Sequence, residues 1–511
     1  MTPFKTSSTA ILGRAIAAAV ACSLTAGLVA GPSAGAQSNL KAMADNPEPG
    51  LSGAPIPGPA PEADQPSSVF GGTVLRRPYA SGVRIVGHSP TGGMQMGWID
   101  HCAYLAGSDG PGGKGIAVVD VRNPRAPRDV KVLADGGAAQ ATENFDARLT
   151  TSGRRIVIGG DRAVGGTTND PPSRLSIYDA TDCENPRLMA QYTWPEGTHT
   201  VHISSDGMLV YGTRIEPMTG SGGIHVLDIS DMTHPRYLGK FGVTGPDGRT
   251  WQFGPHNLTF SPDGRRLYAA AIGSRGGDMN RDFTTPDGQF SYERYGPNAG
   301  GVYILDSSDF ALGRPNPKFR LVGLAEHAGW HDTSLANING VPYLVGSGEG
   351  VIPCPGAFPI LTNIADESHP RVVGAFRTDM NRPENCPAAP PPPPTAMTAN
   401  GKIDYPSAAA RAAAMSRSSK QSSHYSSVDS ATRTRLGLFS MTGAGFRIAD
   451  LRDPTAPREI AYFRPGPGCS GFSRYVDRSG QIWMSCGAAG FFVLELSPEV
   501  KASLRRKVPS H

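Results

Sequence analysis

One short string recurs along this chain, and a repeat constrains the fold more than any single motif can. Gly115 to Asp120 reads GIAVVD, Leu175 to Asp179 reads LSIYD and Gly223 to Asp228 reads GIHVLD. Phe358 to Asn363 reads FPILTN, and Phe446 to Asp450 reads FRIAD. In all five copies a Pro-Arg pair follows at a fixed distance: Pro127, Pro186, Pro235, Pro370 and Pro457 each lie seven residues after the Asp or Asn. Gly301 to Asp306 (GVYILD) and Phe491 to Glu495 (FFVLE) are looser copies, which makes seven units.

Each residue type has a physical reason to be there. The β-branched and apolar run predicts a strand buried on both faces. Asp or Asn ends it because a short side-chain acceptor can bond backbone N–H groups of the next turn. Pro lacks an N–H, so the strand it opens belongs on a sheet edge. Ahead of each copy lies a second pattern: an alternating strand, an Asx-Gly or Ser-Gly turn, then an apolar strand. Val201 to Gly212 around Asp206-Gly207 and Asn257 to Ala270 around Asp263-Gly264 show it best, and it predicts a hairpin. Strands a, b, c and d repeated seven times describe an all-β chain, a seven-bladed β-propeller of four-stranded antiparallel blades. The last unit stops after strand c at Glu495, while Val83 to Gly87 (VRIVG) reads like a spare strand d. This N-terminal strand is expected to complete the last blade.

The copies resemble the LVIVD-repeat family of secreted bacterial β-propellers, whose signature is an LVIVD-like strand, a short turn and a Pro-led strand. The resemblance spans roughly Gly82 to Pro498. It implies the fold and leaves the reaction open, because that family is defined by its repeats.

The expected organisation is a signal peptide over residues 1–36, a Pro/Gly-rich linker over 37–80, the propeller over 81–500 and a basic tail over 501–511. Lys5 and Arg14 supply a basic start, Ala15 to Ala30 an apolar run, and Ala34 to Ala36 a small-residue cleavage site, so export to the periplasm, cell surface or medium is expected. Cys22 lies within the apolar run and leaves a lipid-anchored form open. No later segment is apolar enough for a transmembrane helix. Without residues 1–36 the chain carries 46 Lys and Arg against 44 Asp and Glu, which gives no reason to propose nucleic acid as a partner. A monomer is expected. Six cysteines remain, and the strand order favours pairing Cys102 with Cys183, Cys354 with Cys386 and Cys469 with Cys486.

Strand direction also assigns loops to faces. The d–a and b–c connections lie on one face, here called the top. The long insertions Asp161 to Pro172, Gly273 to Ala299 and Thr378 to Lys420 all fall there, with a Pro-rich disordered insert expected near 380–420. Alignment of strands a on their turns puts His199, His256, His331 and His424 at the start of strand a in four consecutive blades, with a one-residue shift in the longer hairpins. Phe145 and Phe472 hold the same slot in two other blades. Four imidazoles at one channel mouth would suit iron or copper, with Glu196, Glu326 and Asp332 near enough in sequence to orient them. The opposing reading is that strand a begins with a polar residue in many propellers and that duplication copies it. His202, His225 and His327 read as packing or loop residues, and His234 and His369 as bottom-turn variants. Asp278 to Asp282 starts like a calcium loop but lacks its Gly and closing Glu. Two functions follow: a binding platform for a small molecule, metal or surface protein on the top face, or a metal-dependent oxidoreductase built on the four histidines.

Overall fold

The computed structural model describes residues 79–107, 115–161, 172–215, 222–271, 300–326, 330–348, 358–378, 396–397, 403–404, 423–441, 445–464, 471–476 and 478–506. The signal segment, the calcium-like stretch, His327, Cys354, Cys386, Cys469 and nearly all of the three long insertions lie outside them.

Seven antiparallel blades form the ring. Blade 1 runs Gln95–Ile99, Cys102–Ala106, Ile116–Asp120 and Arg128–Leu133, and the next five repeat that order outward from the axis. Blade 7 takes its first three strands, Ser473–Val476, Gln481–Ser485 and Phe491–Leu496, from the C-terminal end. Its outer strand is Val83–Ser89, paired antiparallel with Phe491–Leu496. The two ends of the propeller are thus joined within one sheet, as the spare strand required.

The turn after strand c shows why the repeat has its spelling. The carboxylate of Asp120 accepts the amide N–H of Arg122, and Asp179, Asp228, Asp306, Asn363 and Asp450 each do the same two residues on. A second such turn follows three residues later at Asn123, Asp182, Asp231, Asp366 and Asp453. Two fused Asx turns bring the chain to Pro, and strand d begins at the Arg just after it: Arg128, Arg187, Arg236, Arg371 and Arg458. Of the two copies without this spelling, the one after Asp306 makes a short helix instead, Ser308–Ala311. Every c–d pair carries a register shift, which adds local twist. Three strand-d glycines then press on the turn of the following blade. A Cβ on Gly87 would lie 2.1 Å from the Pro124 carbonyl, on Gly323 2.0 Å from Glu367, and on Gly374 2.1 Å from Pro454.

Strands b and c are buried on both faces, so successive side chains feed two different cores. Tyr104 and Val118 pack with Val157 and Tyr178 of blade 2, whereas Ala103, Leu105 and Val119 pack with Trp483 and Val493 of blade 7. Seven apolar clusters result among the described residues, one at each blade-to-blade interface. Round the axis, strand-a side chains bond the backbone of the next strand a: Asp146 accepts from Ile203 N–H, Thr200 donates to His256 O, Thr259 to Thr333 O, Ser334 to Ser426 O and Ser427 to Ser473 O.

Two blades exceed four strands. Tyr79–Ser81 extends blade 6 outside Arg458–Arg464, and a small hairpin, Val243–Thr244 with Thr250–Trp251, flanks blade 4. Cys102 and Cys183 form a disulfide on the bottom face. Cys486 is also disulfide-bonded. The basic tail begins as a helix, Pro498–Arg505, with Ser497 as its N-cap and with Val500 and Leu504 against the blade 6–7 core. No helix among the described residues is long and apolar enough to cross a membrane.

Candidate metal centre

The four aligned histidines come together at the top of the channel. Three of them are displaced residues in their strand: the ladders step over His256, His331 and His424 between their neighbours. Such an extra residue turns its side chain out of the ladder's alternation, here toward the axis. His199 lies just before Val201–Ile203, with its amide donating to Thr213 O.

The rings form an arc of neighbours. Centroids of His199 and His256 are 4.5 Å apart, those of His256 and His331 4.0 Å, and those of His331 and His424 4.6 Å. His199 Nε2 and His256 Nε2 are 2.9 Å apart. A fifth group, which the sequence reading missed, completes the set. Glu143 enters from the connection between blades 1 and 2, two residues before Phe145. Its Oε2 is 3.0 Å from His199 Nε2 and 3.8 Å from His256 Nε2. Its Oε1 is 3.6 Å from His424 Nε2 and 3.9 Å from His331 Nε2. Tyr425 donates its hydroxyl hydrogen to Glu143 Oε1 at 3.1 Å, with its ring 4.0 Å from that of His424. The signal available in sequence was a carboxylate just ahead of a strand a whose own slot holds Phe. A search for like residues at like positions passes over it.

Burial works on Glu143 and on His256 in this cluster. It pushes the Glu143 carboxyl upward, but hydrogen bonds from His199, His331 and His424 and the charge of His256 outweigh it, leaving Glu143 well below the usual carboxylate range. For His256, burial and the neighbouring His331 and His199 push the imidazole well below its ordinary value against the pull of Glu143. The Nδ1 atoms of His199 and His256 are buried with no hydrogen-bond partner among the described residues.

Of the carboxylates suggested by sequence proximity, Glu196 stands elsewhere. Glu196 faces Lys240 at 3.0 Å, Arg214 at 3.2 Å and His225 at 3.8 Å, which turns it from His199. The adjacent charges on a neighbouring strand win over nearness in sequence. The Glu326 side chain lies outside the described set. Asp332 is buried beside His331 and accepts the Ser426 amide N–H at 2.9 Å, tying the strands that carry His331 and His424. Burial pushes its carboxyl up to about 6 against the Ser426 amide and the charges of His331 and His424. Phe145 is buried in the blade 1–2 core, and Phe472 packs on Tyr425. His225 is buried against Tyr237, while His234 and His369 are exposed on turn carboxylates.

No family model matches the chain, and no curated protein does. The likenesses are to solved structures. Hydrazine synthase from Kuenenia stuttgartiensis matches over 80% of this chain and 95% of its own, at 13% identity and a TM-score of 0.46. The β-propeller domain of Cps50 (Swd1) from Myceliophteria thermophila covers 81% and 99% at 7% identity and TM-score 0.46. The RRP9 WD40 repeats cover 85% and 100% at 9% identity and TM-score 0.46. What these proteins do has no bearing on this chain.

Proposed function

We propose that the channel mouth binds one first-row transition-metal ion, iron or copper, through Nε2 of His199, His256, His331 and His424 with Glu143 as a carboxylate ligand. The observation that carries this is the spacing of the donors. Ligands about 2.1 Å from one cation are about 3.0 Å apart when cis and about 4.2 Å apart when trans. The separations from the Glu143 oxygens to the four Nε2 atoms, from 3.0 to 3.9 Å, fall inside that window, with His199 and His256 facing Oε2 and His331 and His424 facing Oε1. Neutral imidazoles with one ionised carboxylate suit iron and copper in charge and softness. The protein is then an exported, LVIVD-type platform whose top face presents a bound metal to a small molecule or partner. The Cys102–Cys183 bridge supports the export part, since such bonds persist in oxidising compartments.

The test is metal content of the purified mature chain, as wild type and as His256→Ala. About one iron or copper per chain, lost in the variant, supports the site; wild type without stoichiometric metal overturns it. A second reading, a metal-dependent oxidoreductase, is favoured by Tyr425, because its phenol on Glu143 puts a proton donor beside the ligands. A reversible one-electron wave in the metal-loaded protein, absent in His256→Ala, would support that reading, and a redox-silent metal would remove it.

A further inference from the structure

A second constellation lies lower in the channel, on the side where the ring carries no histidines. Trp98, Arg148 and Arg474 belong to the innermost strands of blades 1, 2 and 7, three consecutive blades. All three lie toward the bottom turns: Trp98 pairs with Ala103, Arg148 with Ile156 and Arg474 with Trp483. Blades 4 to 6 carry hydroxyls in this part of the bore, Thr259, Ser334 and Ser427, each bonded to the next strand.

The charges there do not balance. Asp146 is the acid facing this region; it pairs with Arg148 at 3.3 Å and already accepts the Ile203 N–H. Burial holds His202 at about 4, so it is neutral near pH 7. Arg474 has no carboxylate within ion-pair distance among the described residues. It lies over the face of the Trp98 ring instead. Stacking uses the face of a guanidinium and leaves its in-plane N–H donors free for an acceptor. Arg474 keeps an accessible surface, and the packing of the ring around it with the charge of Arg148 lowers its pKa despite Asp146, while the guanidinium stays charged. Two guanidinium groups against one carboxylate leave a positive charge in excess there, which attracts an anion.

We propose that the lower channel binds a small oxyanion between the guanidinium groups of Arg148 and Arg474, with Arg474 held in place by its stacking on the Trp98 indole. Charge-assisted N–H donors in a planar fork match the oxygens of phosphate or carboxylate. Arg148 is five residues along the chain from Glu143, roughly 15 Å in extended backbone, so this site is separate from the histidine centre.

The probe is inorganic phosphate, titrated calorimetrically into the mature chain with chloride holding ionic strength constant. Wild type is expected to give one saturable site, weakened at least about tenfold in Arg474→Gln and independently in Arg148→Gln. Thermal melts confirm that each variant is folded, and two separate variants guard against failure of one. His256→Ala should bind phosphate as wild type does. No saturable heat in wild type, or wild-type binding in both arginine variants, overturns the site. Loss in His256→Ala alone also overturns it, since the anion would then sit at the histidines.

Discussion

The Cys102–Cys183 bridge offers a magnitude that can be worked from the chain itself. It spans a sequence separation of 81 and joins the start of strand b in blade 1 to the c–d turn of blade 2. On the loop-closure account, a crosslink of that span withholds about 4.5 kcal/mol of entropy from the unfolded chain at 25 °C. The native side loses little, because Tyr104 still donates to Cys183 O at 2.7 Å and the blade 1–2 core persists. The perturbation is Cys102→Ala with Cys183→Ala, read by equilibrium urea unfolding against oxidised wild type. A loss of about 4 kcal/mol is expected, with a steeper denaturant dependence because the freed unfolded chain exposes more surface. A loss under about 1 kcal/mol with unchanged steepness would refute the reasoning.

Other outcomes follow from the same contacts. Glu143→Gln keeps the shape but removes the charge that touches all four imidazoles, so metal affinity should fall at least about tenfold; equal affinity would demote Glu143 to a bystander. His202 and His225 are held by burial at about 4, against an ordinary 6.5. The unfolded chain therefore takes up more protons between those values, and stability drops as pH falls from 6.5 toward 4, by up to roughly 3 kcal/mol per histidine. His225→Gln should flatten that slope in pH-dependent unfolding, and an unaltered slope would contradict the assignment. Gly374→Ala forces a Cβ onto the Pro454 carbonyl and should cost about 1–3 kcal/mol, while Gly340→Ala, with open space around it, should show no such clash and only the cost of its positive φ. Removal of residues 1–89 strips the outer strand from blade 7 and bares the Phe491–Leu496 edge, so the truncated chain should aggregate, which light scattering would show.

The blades were legible because every unit repeats its own chemistry: Asp120 and its counterparts spell a turn, and the apolar runs spell strands with two buried faces. Closure through Val83–Ser89 was legible for the same reason, since that strand resembles a known position in the repeat. The histidine row could be aligned because duplication kept it in register ahead of each hairpin, while the three bulges that turn His256, His331 and His424 out of their ladders left no mark in the spacing. What the repeat does not encode stayed hidden. Glu143 comes from a connection between blades, Tyr79–Ser81 and the blade 4 hairpin are additions outside the unit, and Arg474 finds Trp98 only because the ring closes. Glu196 shows the converse: it lies three residues from His199, yet Lys240 and Arg214 on neighbouring strands claim it.

X-ray absorption at the metal edge of the loaded protein looks at the centre most directly. Four imidazole nitrogens and a carboxylate oxygen are expected around one ion at about 2.0–2.2 Å. A shell containing sulfur near about 2.3 Å, or only one or two imidazoles, would contradict it.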